Sequence, residues 1–160
     1  MIFNREDKSF LLQVVQPALA GLMDGSVSTL APLFASALAT HKPHVAFLIG
    51  LSAAVGAGIS MAFAEALSDT GVHTGRGHPV IRGTIIGVAT FIGGILHTLP
   101  FLLHSLNTAL YLSYIIVGIE LISIAFIRYC YFKLKFTFSI VQVVFCGILV
   151  LLAGYFIGNS

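Results

Sequence analysis

Five apolar stretches separated by short polar connectors organise the chain: roughly Phe10–Leu38, Val45–Leu67, Val80–Leu103, Thr108–Tyr129 and Phe136–Ile157. Each reaches the ~20 residues that a helix needs to cross a hydrocarbon core. They are far too long for the strands of a membrane barrel, so helices are predicted. The connectors "ATHKPH", "SDTGVHTGRGHP", "HSLN" and "YCYFKLK" leave no room for a soluble domain between spans. The pattern therefore predicts an all-α integral membrane protein, with one five-helix membrane domain over residues 1–160. In the second span Gly50, Ala54, Gly58, Ala62 and Ala66 recur every four residues, a stripe of small side chains along one helix face. Such a stripe lets another backbone approach closely, either within the subunit or from a second one. Gly83, Gly87, Gly93 and Gly94 favour close packing of the third span, and Pro17, Pro32 and Pro100 are expected to kink their helices.

Composition agrees. Of 160 residues, 58% are hydrophobic and 9% charged, whereas soluble domains are about a quarter charged. The mean hydropathy is +1.00. The net charge of +2 carries no nucleic-acid signal, and the few basic residues read instead as topology markers. With the N-terminus inside, Arg5, Lys8, Arg76, Arg82, Arg128, Lys133 and Lys135 all fall on the inner side, and only Lys42 falls outside. The expected orientation is N-in and C-out. An odd number of spans in so small a chain points to a homodimer. No small-residue cleavage site follows a short apolar core, so no removable signal peptide is expected. Cys130 and Cys146 lack metal-ligand spacing and read as small packed residues.

Charge inside the spans changes the picture. Asp24, Glu65 and Glu120 lie in apolar helices, where an ionised carboxylate costs roughly 2.5–3.5 kcal/mol at mid-depth. Because the basic residues cluster at the inner ends, these acids are expected to be protonated or satisfied by water or a cation. Asp24 lies about midway along its span, with Ser28 one turn further on the same face. Glu65 lies towards the inner end of the second span, with Met61 one turn away on its face. Carboxylate oxygens with one thioether sulfur suit a borderline divalent metal such as Fe²⁺ or Mn²⁺ better than Mg²⁺ or Ca²⁺. Glu120 has only Ser123 as a polar neighbour in "VGIELISIAF". His97, in "GGILHTLPF", joins Glu120 and Ser28 as a candidate for the path or a proton relay. His41, His44, His73, His78 and His104 sit in or beside connectors without zinc spacing. The chain has no HExxH, GxSxG or P-loop, and no nucleophile–base pair is apparent, so an enzyme is not expected.

The stretches "LMDGSVSTLAPLFASA", "GAGISMAFAEALSD" and "GGILHTLPFLL" resemble the vacuolar iron transporter family. The wording "QPALAGLMDGSVSTLAP" is most similar to the bacterial branch, the membrane-bound ferritin or erythrin-like iron exporters, in which the membrane domain follows a ferritin-like domain. The resemblance implies a homodimer of five-helix subunits with a metal path at the dimer interface. It implies transport of Fe²⁺, and often Mn²⁺, out of the cytosol in exchange for protons, here across a bacterial inner membrane. The family's first-span Asp and second-span Met line the path and match Asp24 and Met61, and the acidic residue four places on matches Glu65. The metal is cargo, and no tightly bound cofactor is implied. One departure is clear. Many members insert a glutamate-rich cytosolic domain after the second span, where this sequence has only "SDTGVHTGRGHPVIR". The expected partners are lipid, a second subunit and a ferritin-like domain, with no nucleic acid. Two other functions fit less well: a membrane anchor for a ferritin-like partner, and a proton-coupled carrier of a small solute.

Overall fold

The computed structural model describes residues 5–71 and 74–160, with side chains from Lys8 onward. His73, and the side chains of Arg5, Glu6 and Asp7, lie outside the described residues. The described regular structure is helical: α1 (Arg5–Phe10), a π-helical turn (Leu11–Val15), α2 (Gln16–Ser28), α3 (Leu30–Thr40), α4 (Pro43–Ser68), α5 (Pro79–Leu96), a 3₁₀ turn (Leu99–Leu102), α6 (Leu106–Phe132) and α7 (Phe136–Gly158). Among the described residues, five helical stretches are long and apolar enough to cross a membrane: Lys8–Thr40, Pro43–Ser68, Pro79–Leu96, Leu106–Phe132 and Phe136–Gly158. Large apolar side chains such as Phe63, Leu67, Tyr111, Phe126, Phe145 and Phe156 stand on the outside, where a soluble protein would carry charge.

Prolines shape the first span. Pro17 has no N–H for the carbonyl four residues back, and the turn before it is π-helical, with the Gln16 amide reaching Leu11. Pro32 likewise cannot donate to Ser28, and the helix breaks at Thr29 between α2 and α3. The third span ends earlier than predicted. Its α-helix stops at Leu96 rather than running to Leu103, because Pro100 cannot bond Leu96 and disfavours helix at the residue before it. The apolar pattern continues through the 3₁₀ turn, where it covers Phe101 rather than a longer helix.

α5 lies between α2 and α4 at backbone distance. A methyl group added at Gly25 would run into the Thr90 carbonyl, and one at Gly21 into that of Ile86. On the other side Gly58 and Ala62 meet Gly87, Ala62 and Ala66 meet Gly83, and Ala54 meets Gly94. The small-residue stripe of the second span is therefore used inside the subunit, against glycines at matching intervals on α5. α3 packs on α7 in the same manner, with Gly154 against Ala31 and Gly158 against Ala35. A central cluster joins Leu30, Leu33, Phe34, Phe101, Leu121, Ile124 and Val143. Cys130 is exposed and Cys146 partly so, and both are free, so Cys130 is not the packed residue expected.

Candidate functional site

Asp24 is half-buried in α2. Its neighbours Gly21 and Gly25 are committed to α5, which turns the Asp24 side chain away from that contact. Among the described residues no hydrogen bond or ion pair reaches its carboxylate. Ser28, one turn on, is exposed, and Met61 is half-buried on α4, one turn before Glu65. No group of three or more His, Cys, Asp or Glu side chains able to hold a metal ion occurs among the described residues of one subunit.

Glu65 differs from the expectation. A cation encoded in the chain meets it. Arg82, which the apolar pattern assigned to the inner end of the third span, is in the first turn of α5 and 0% exposed. Its Nε donates to Glu65 Oε1 at 2.8 Å, and Arg76 Nη2 lies 3.0 Å from the same oxygen. Arg82 also donates to the carbonyls of Gly77 and Asp69 and lies 3.4 Å from Asp69 Oδ2. Asp69 accepts the Thr74 hydroxyl at 2.6 Å and the Gly71 amide at 2.7 Å. The Thr74 bond first, then the Gly71 bond, hold its carboxyl below the usual carboxylate range, with Arg82 and Arg76 adding to the effect. Gly71 and Gly77 take positive φ, so the connector folds back with Gly77 against Gln13 of the first span. The C-terminal end of α4 is thus closed by an ionic cluster.

Glu120 and His97, for which sequence spacing offers no shared partner, meet each other. His97 Nδ1 lies 3.0 Å from Glu120 Oε2, and His97 Nε2 lies 2.8 Å from Thr29 Oγ1. Ser123 does not take part. It is exposed and bonds the Ile119 carbonyl. Thr29 carries no signal of its own in the sequence, because its role depends on the break that Pro32 imposes. Thr29, His97 and Glu120 stand in the order of a nucleophile, a base and an orienting acid, but Thr29 and His97 are 0% exposed, so no substrate reaches them.

No curated protein and no solved structure matches the chain. The VIT family profile matches residues 65–159, which includes Glu65, Arg82, His97 and Glu120 and begins after Asp24 and Met61. Five membrane-length helices, carboxylates inside them and a family match over more than half the sequence lead to one conclusion: the chain belongs to the VIT family, and is an integral membrane metal-ion transporter rather than an enzyme.

Proposed function

We propose that the protein carries Fe²⁺, and also Mn²⁺, out of the cytosol across a bacterial inner membrane in exchange for protons. It does so as a homodimer with its termini oriented N-in and C-out. One observation carries this reading: Asp24 sits at mid-span with no partner among the described residues of its own subunit, on a helix whose adjacent glycines are already packed. A carboxylate there is costly unless something meets it. Two subunits facing each other would offer two Asp24 carboxylates and two Met61 thioethers, a mixed oxygen and sulfur set suited to a borderline divalent ion. Glu65 receives the ion on the cytosolic side. Arg76, 26% exposed, is the guanidinium that yields, while the fully buried Arg82 stays as the fixed partner. Protons arriving from the outer side neutralise the acids and release the metal.

Flux into proteoliposomes under an imposed pH gradient tests the reading, with Fe²⁺, Mn²⁺ and Mg²⁺ supplied separately. Gradient-driven flux of Fe²⁺ and Mn²⁺ with none of Mg²⁺ is expected. Native flux in Asp24→Asn would sink the proposal. If the native chain moves no metal, adding a ferritin-like domain decides whether the membrane domain needs that partner.

A further inference from the structure

The metal ligands leave one buried constellation unused. Three membrane-depth segments contribute to it: Thr29 from the break in the first span, His97 from just beyond α5, and Glu120, with 14 residues of α6 before it and 12 after. Glu120 is 9% exposed. Its second oxygen, Oε1, is buried without a hydrogen-bond partner.

The hydrogen positions can be counted. Thr29 owns one hydroxyl proton and has two acceptors in reach, the Gly25 carbonyl and His97 Nε2, each at 2.8 Å. With the hydroxyl turned to Gly25, Nε2 must carry a hydrogen and donate it to Thr29. The Nδ1–Oε2 contact then also holds a proton, and the His97–Glu120 pair is neutral overall. With the hydroxyl turned to Nε2, that nitrogen is bare, Nδ1 donates to a Glu120 carboxylate, and the pair carries one negative charge. Both arrangements use the same heavy-atom positions. They differ by one proton and by the direction of one hydroxyl.

We propose that Glu120 and His97 form a proton-binding site separate from the metal ligands. Its occupancy is relayed through the Thr29 hydroxyl to the Gly25 carbonyl, in the residue next to Asp24. A purely structural tie has no need of this chemistry. Ser113 already fastens the end of α5 to α6 by donating to the His97 carbonyl at 2.7 Å. Oε1 of Glu120 remains as a buried acceptor with no partner among the described residues.

Few other ionisable groups compete. The first span brings Asp24 and, at its start, Lys8; α6 brings Tyr111 and Tyr114, the latter stacked on Phe34, with Arg128, Tyr129, Cys130 and Tyr131 towards its end; α7 brings Cys146 and Tyr155. In α4 the only acid is Glu65, engaged with Arg82 and Arg76. Among the described residues none of these bonds to His97 or Glu120. The coupling role rests on the metal–proton exchange proposed above, whereas the proton site itself does not.

Two measurements on the full chain separate the two. Infrared difference spectra between acidic and alkaline pH, without metal, are expected to show a carboxyl or imidazole band change that disappears in Glu120→Gln and persists in Asp24→Asn and Ser113→Ala. In proteoliposomes, Glu120→Gln and His97→Gln are expected to keep downhill Fe²⁺ flux but lose its acceleration by a pH gradient. Ser113→Ala, which cuts the tie without touching an ionisable group, keeps that acceleration. A band unchanged in Glu120→Gln overturns the proton site. Full gradient acceleration in Glu120→Gln, or its equal loss in Ser113→Ala, overturns the coupling role. If the native protein moves no metal at all, the transport reading fails and the infrared band still decides the proton site.

Discussion

Glu65 and Asp24 both place a carboxylate in a membrane-length helix, yet their surroundings are opposite. Glu65 sits near the C-terminal end of α4 and is met by Arg82 and Arg76, with Arg82 fully buried. Asp24 sits midway along the first span, and among the described residues no hydrogen bond or ion pair reaches it. The first acid is satisfied by cations of its own chain. The second is left unmet, and that suits a ligand for passing cargo. An acid's position in an apolar helix marks its importance, and its partners decide which kind.

Removing the fixed partner tests the inner cluster most severely. Arg82→Ala leaves Glu65 at a buried edge without its main cation, and a loss of about 3–5 kcal/mol is expected in thermal unfolding of the detergent-solubilised protein. Next comes the packing that orients Asp24. Gly25→Ala drives a methyl against the Thr90 carbonyl, and about 1–3 kcal/mol is expected to be lost as α2 separates from α5. Arg76→Ala removes a partly exposed pair. It is expected to cost about 1 kcal/mol or less while raising initial Fe²⁺ flux, because Glu65 is easier to reach. If flux falls instead, Arg76 is not the group that yields.

Asp69 gives a pH dependence. Its carboxyl is lowered on folding, so the stability it contributes is complete above the ordinary carboxylate range and disappears as pH falls through the lowered value. In Asp69→Asn that acid-range slope is expected to flatten, read from melting temperature against pH. The smallest effect on folding belongs to Asp24→Asn. No partner is lost, so stability is expected to stay within about 0.5 kcal/mol while Fe²⁺ flux drops to background. A large stability loss there would mean that Asp24 has a structural partner and would erase the contrast with Glu65.

The five spans were legible because apolar runs of this length suit a membrane-crossing helix and little else. The third span's end was not, since "HTLPFLL" stays apolar beyond the helix, and Pro100 was the only stop signal. That the acids inside the spans are costly was legible from the sequence, but the partners that meet Glu65 and Glu120 were not. Spacing rules work along one helix, while Arg82 reaches Glu65 across a hairpin and His97 reaches Glu120 across another. Hairpin geometry could have brought the first pair level, because the last turn of one span and the first turn of the next share a depth. The stripe on α4 was equally visible, and its use became clear only beside the matching glycines of α5.

The break at Thr29 divides the first span between two companions. Its leading half, α2, is locked to α5, while its trailing half, α3, lies against α7. The span therefore behaves as two levers sharing one pivot, with no proline-free turn across that joint to stiffen it. A displacement of α7 would therefore reach α3 before it reached Asp24, which lies on the half packed against α5. The His97 ring bears on the pivot itself, 2.8 Å from the Thr29 hydroxyl.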